Sequence, residues 1–201
     1  MPRARTGRTL DARHSTIADN PLNARSCLLT RYASIAQGAE PDLLCLGKAL
    51  GGGLPVSACV GTAAVMAAWG NTGNEALHTG TFFGNPLVCA AALAALAVLE
   101  DEDLALAAVR KGAVLKRALQ QSLAAHACVV EIRGMGLAVG VQLDSAARTL
   151  AVARRLLERG YIVVTSGPRG DVLSLTPPLT IAEPLLLEFA HALDAALGAL
   201  P

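Results

Sequence analysis

Aromatic side chains are scarce in this sequence: three Phe, two Tyr and one Trp, 3% of 201 residues. So few flat rings leave little on which nucleic-acid bases could stack. Charge is also sparse and nearly balanced, with 17 basic against 16 acidic residues and 16% charged overall. That balance provides no cationic surplus for a phosphate backbone, and nucleic acid is not an expected partner. No apolar run reaches the roughly 18 residues of a membrane span, because Arg, Asp, Gly and Pro interrupt each one, so no membrane association is expected. The five cysteines, Cys27, Cys45, Cys59, Cys89 and Cys128, are odd in number and far apart. They suggest neither a disulfide framework nor a zinc CxxC site, and read as small buried hydrophobes in a reducing compartment. No apolar core of a secretory signal stands at the start. The early arginines, Arg3, Arg5, Arg8, Arg13, Arg25 and Arg31, suit a transit peptide, but Asp11 and Asp19 oppose it, so a cytoplasmic location is expected.

Hydrophobic residues, by contrast, are abundant at 53%. A chain of this length can hide about 70% of its unfolded surface, enough for a real core. Composition shifts near residue 40. Residues 1-36 are polar, Arg-rich and without a sustained period. From Pro41 onward short apolar runs alternate with Ala/Leu-rich helical stretches, the pattern of a layered α/β protein.

Leu43 to Leu46 reads as a short buried strand and Val56 to Gly61 as a second, separated by the glycine turn Gly51-Gly52-Gly53. Asn85-Pro86 is a helix-start signal, an amide cap followed by proline at the first helical position, and Leu87 to Glu100 carries the helix. A further helix is predicted from about Asp101 to Ala125, with three acids in its first turn facing the positive end of the helix dipole. Val129 to Ile132 and Leu137 to Leu143 read as strands around the turn Arg133-Gly134-Met135-Gly136. Ala146 to Arg159 reads as an amphipathic helix stopped by Gly160. Strands are expected at Tyr161 to Thr165 and Val172 to Leu175, and a closing helix at Glu183 to Leu197. The chain is expected to divide near residue 100, with part of a larger sheet domain over 37-100 and a small α+β domain over 101-201.

The most informative stretch is Pro41-Asp42-Leu43-Leu44-Cys45-Leu46-Gly47-Lys48-Ala49-Leu50-Gly51-Gly52-Gly53. A lysine at the end of an apolar strand is expected in a desolvated pocket, where burial disfavours the ammonium form and makes the amine a nucleophile toward an aldehyde. Glycines beside it let a bulky cofactor approach the backbone. The bland alternative is a strand-end lysine that snorkels to water. Thr81, in a glycine-containing loop ahead of the Asn85-Pro86 cap, has the hydroxyl and the helix N-terminus that a phosphate wants, although a lone turn threonine more often satisfies its own backbone.

The lysine stretch resembles the lysine segment of class III, or omega-type, pyridoxal-phosphate aminotransferases, the group of acetylornithine, ornithine and 4-aminobutyrate aminotransferases. His78-Thr79-Gly80-Thr81-Phe82-Phe83-Gly84-Asn85-Pro86-Leu87-Val88-Cys89-Ala90-Ala91 is similar to the threonine loop and following helix of that family. Arg133-Gly134-Met135-Gly136-Leu137 resembles its small-domain RGxGL turn, and Leu173-Ser174-Leu175-Thr176-Pro177-Pro178-Leu179-Thr180-Ile181 its closing strand and loop. The resemblance runs from about Pro41 to Leu197, the later half of such an enzyme. It implies a partial fold type I large domain followed by the small domain. It also implies pyridoxal 5'-phosphate as cofactor, Lys48 as the Schiff-base lysine, and Thr81 as a phosphate ligand reaching the cofactor of a neighbouring subunit in a homodimer. The reaction implied moves an amino group from an amine or omega-amino acid to a 2-oxo acid. Two further readings are a non-catalytic remnant acting as a dimerising or regulatory module, and an aminomutase.

The sequence departs from the family at Ser174, where many members carry an arginine that pairs with the substrate carboxylate. A serine cannot supply that bidentate charge, so the substrate-binding residue is left unassigned. Arg169 is a nearby substitute in sequence, and Arg133 reads as a structural turn residue. The glycine/serine phosphate cradle, the stacking aromatic and the aspartate for the pyridine nitrogen are not found. Arg5-Thr6-Gly7-Arg8 faintly resembles the segment that follows that aspartate, and Asp42 reads as a surface residue at a strand start.

Overall fold

The computed structural model describes residues 41–68 and 80–200. Residues 1–36 and the Arg5-Thr6-Gly7-Arg8 segment lie outside the described residues, as do Cys27, His78 and Thr79. The described elements run in the order β1 (Leu43–Leu46), a 3-10 turn (Lys48–Gly51), β2 (Ala58–Gly61), α1 (Ala63–Ala67), α2 (Pro86–Asp101), α3 (Leu104–Ser122), β3 (Val129–Met135), β4 (Ala138–Leu143), α4 (Ala146–Glu158), β5 (Val164–Ser166), β6 (Val172–Leu175) and α5 (Glu183–Gly198). Strands β1 and β2 form a two-stranded antiparallel sheet, and the other four form an antiparallel sheet in the order β3-β4-β6-β5.

The four-stranded sheet carries the core. Val139, Val141 and Leu143 of β4, with Leu173 and Leu175 of β6, alternate inward. They meet Leu115 and Leu119 of α3, Val152 and Leu156 of α4, and Leu186 and Leu193 of α5. Each fully buried Leu or Val contributes roughly 1.5–3 kcal/mol. Gly140, Gln142 and Ser174 face the other way by the same alternation.

Helix α3 lies against the β3–β4 hairpin at backbone distance. A Cβ on Gly112 would sit 1.9 Å from the Gly136 carbonyl oxygen, and Gly136 itself turns the chain at φ 51. The RGxGL-like segment is therefore a packing device: its glycine admits the helix, and Leu137, fully buried, enters the core.

Several boundaries differ from expectation. Helix α2 continues through Asp101, and Asp103, at φ 45, ends the junction before α3 begins at Leu104, so no acid stands in the first turn of α3. Strand β3 extends through Met135, which puts Arg133 in the strand and shortens the turn to Gly136 and Leu137. Strand β2 begins only at Ala58. The β5 strand starts at Val164, because the Tyr161 amide bonds back to Leu156 and the Tyr161 ring packs edge-on against Phe189 at 5.5 Å. Helix α1, capped by the Thr62 side chain, was not expected.

Candidate functional site

Strand β1 delivers Lys48 through Gly47 into a series of tight turns, with Leu50 N–H donating to Gly47 O and Gly52 N–H to Ala49 O. Leu50 and Gly51 are buried, and Gly52, at φ 58, lies 3.7 Å in Cβ terms from Ala95 of α2. The turn is thus clamped between the hairpin and α2. Lys48 has φ 50, one of two non-glycine residues at positive φ among the described residues. An L-residue held there costs about 1 kcal/mol, which the surrounding packing has to offset.

Among the described residues Lys48 is exposed, and no described pocket encloses it as the sequence led us to expect. Leu50 takes the inward position of the turn. Thr81 is also exposed, in the Gly80–Gly84 turn closed by Phe83 N–H donating to Gly80 O. Asn85 Oδ1 accepts from the Leu87 and Val88 amides at 3.1 and 3.3 Å. The first amides of α2 are therefore already occupied, so the helix N-terminus does not supply the donors expected for a phosphate. What the fold does bring together is the flank of each residue. Leu46 and Leu50 around the lysine, and Phe82 and Asn85 beside the threonine, line one open hollow of about 1010 Å³ with Val56, Ser57, Val60 and Leu93. Neither Lys48 nor Thr81 lines it.

Ser174 stands on the outer sheet face, opposite Gly140 on one side and Val164 on the other. Arg133 pairs with Gly140 in turn, so Arg133, Gly140, Ser174 and Val164 form one row across all four strands. Arg133 Nη1 donates to Glu131 Oε2 at 2.5 Å and to Gln142 Oε1 at 2.7 Å. Gln142 Nε2 donates on to Asp171 Oδ2 at 3.0 Å. Arg169 is no spare carboxylate clamp, because both its Nε and Nη2 donate to Asp171 Oδ2, at 3.0 and 2.6 Å. This guanidinium, together with Gln142, holds the Asp171 carboxyl below the usual carboxylate range. Asp42 is exposed just ahead of β1, as expected.

The cysteines correct another expectation. Cys45, Cys59 and Cys89 are exposed, and Cys128 is half-buried. Cys45 and Cys59 are direct cross-strand partners on the face of the β1–β2 hairpin opposite the hollow. The sequence carries one signal for this pairing, two short apolar runs around one glycine turn, but β2 begins at Ala58 rather than Val56, which hides the register. Among the described residues no cluster of His, Cys, Asp and Glu could hold a metal ion, and no helix is long and apolar enough to cross a membrane.

The profile of the family Aminotransferase class-III matches residues 30–197. The acetylornithine aminotransferase of Mycobacterium bovis is 41% identical over 172 residues, covering 83% of this chain and 39% of that protein. The putrescine aminotransferase of Pectobacterium atrosepticum is 40% identical over 152 residues, 75% of this chain and 32% of that protein. Among solved structures, the ornithine aminotransferase of Toxoplasma gondii superposes with a TM-score of 0.77 at 35% identity, covering 90% of this chain and 42% of its own. The mixed helix and sheet architecture is that of a partial α/β fold type I transferase. The chain belongs to the class III aminotransferases, a family dependent on pyridoxal phosphate. It spans about two-fifths of the length of the acetylornithine relative.

That cofactor presents an aldehyde and a phosphate. An accessible amine at Lys48 and a hydroxyl at Thr81 fit those groups by residue type, while the apolar hollow between their flanks contributes no charged donor among its lining residues.

Proposed function

We propose that this chain is the lysine-bearing part of a class III transaminase, which moves an amino group from an amine or omega-amino acid to a 2-oxo acid. The observation that carries this reading is the family match over 30–197 with Lys48 at the end of β1, on a turn clamped in a costly backbone conformation. Lys48 would hold pyridoxal 5'-phosphate through its amine, and Thr81 would bond the phosphate of the cofactor in a second copy of the chain. When bound, the cofactor supplies an electron sink for the bond broken at the substrate carbon. Freed from the cofactor, the Lys48 amine takes up and returns the proton at that carbon.

Ser174 shapes the substrate class in this reading. Its hydroxyl, beside the bare backbone of Gly140, leaves the row without a free guanidinium, since Arg133 is already bonded to Glu131 and Gln142. A substrate without a carboxylate near the reacting amine suits that surface better than an alpha-amino acid. The exposed apolar residues Phe82, Phe83 and Leu87 support a homodimer. A division into domains near residue 100 and a cytoplasmic location complete the proposal.

Exposure of Lys48 favours a second reading, a non-catalytic module of the same descent. One experiment separates the two. The chain is incubated with pyridoxal 5'-phosphate, reduced with borohydride and mapped by mass. Stoichiometric label on Lys48, absent in Lys48→Arg, is expected for the transaminase. Label shared with Lys111 and Lys116, or no label at all, would remove that reading and leave the module.

A further inference from the structure

Cys45 and Cys59 face each other across β1 and β2, with the Cys45 S–H donating to Cys59 Sγ at 3.9 Å. Both residues are exposed, so a small reagent reaches either sulfur. Residues directly opposed in an antiparallel pair have Cα atoms about 4.5–5.5 Å apart, inside the range a disulfide spans. The two strands need no change of register to bring the sulfurs into bonding distance. The loop that such a bond would close holds residues 46–58 and therefore Lys48.

We propose that Cys45 and Cys59 form a thiol redox site, oxidised by small-molecule disulfides to an intrachain bond that ties together the two ends of the Lys48 loop. The thiolate of one cysteine attacks the small disulfide, forming a mixed disulfide and releasing one small thiol. The facing thiolate then attacks the protein sulfur of that mixed bond. The Cys45–Cys59 bond forms as the second small thiol leaves. The two cysteine sulfurs give up two electrons, the reagent takes them, and the two thiol protons end on the released small thiols. This site does not depend on the transaminase reading, and neither cysteine is placed in the cofactor or substrate machinery.

The full 201-residue chain, reduced and then treated with 2-hydroxyethyl disulfide, tests the proposal by mass mapping without reduction. Cleavage at Lys48 and Glu75 separates Cys45 from Cys59 and Cys59 from Cys89. The expected product links the Cys45 and Cys59 peptides within one chain, two hydrogens lighter than the free thiols. In Cys59→Ser the mixed disulfide has no facing thiol to resolve it, so adduct on Cys45 rises on the order of tenfold over wild type. Cys45→Ser is expected to show the same rise on Cys59, and the wild-type map stands without either variant. Separate adducts on both cysteines of the wild type, or a bond from either to another cysteine or another chain, would overturn the proposal.

Discussion

Residues 104–200 and the described residues of 43–101 solve the burial problem differently. The later region supplies nearly all of the main core, to which α2 adds Leu99: α3, α4 and α5 cover one face of a four-stranded sheet, and Leu115, Leu119, Val141, Val152 and Leu193 are essentially inaccessible. The described residues of the earlier region form one hairpin, a 3-10 turn and two helices, and α2, 16 residues long, buries only Leu99. Leu46 and Leu50 are also buried there, but Phe82 at 81% and Phe83 at 68% exposure face outward. Among the described residues the main core therefore lies away from Lys48, Thr81 and the cysteine pair, whereas Ser174 stands on the sheet that carries that core.

The largest effect is expected where the main core admits no extra atom. Gly112→Ala drives a methyl into the Gly136 carbonyl and should cost about 3 kcal/mol or more in denaturant unfolding. Leu193→Ala should cost roughly 2–5 kcal/mol by the same measurement, through lost burial and the cavity left behind. Acid probes the outer face of the same region. The native Asp171 carboxyl is held below its unfolded range, so its contribution to stability is present above that range and lost as pH falls through the native value. Asp171→Asn should therefore flatten the fall of stability in acid, read from melts across a pH series. Removing a helix cap acts in both regions: Ser145→Ala and Asn85→Ala each delete an oxygen bonded to first-turn amides and should cost about 1 kcal/mol. The smallest change in stability, within about 0.5 kcal/mol, is expected for Phe82→Ser with Phe83→Ser. The same double substitution should weaken self-association in sedimentation. A destabilisation as large as that of Leu193→Ala would erase the contrast between the two regions.

The later region was also the more legible in sequence. The alternation of β4, the amphipathic period of α4 stopped by Gly160 and the apolar run of α5 are local signals, and those elements fell within one residue of where the sequence placed them. The errors came where a tertiary contact chose between local options. Tyr161 left the strand path because its ring meets Phe189, and Asp101 joined α2 because the break falls two residues later. At the candidate site the motif was legible but its environment was not. An apolar strand before Lys48 says nothing about which side of the following turn faces water, and Leu50 took the inner side. The cross-strand cysteine pair needed a register, which two four-residue strands of mixed composition do not specify.

The positive φ of Lys48 makes the position separable into two parts, a side chain and a backbone angle. Lys48→Ala and Lys48→Gly abolish the amine equally, yet glycine alone accepts a left-handed torsion without a Cβ penalty. The glycine variant should therefore melt higher than the alanine variant, by an amount equivalent to about 1 kcal/mol. At this site the loss of the nucleophile and the relaxation of the chain can be titrated against each other.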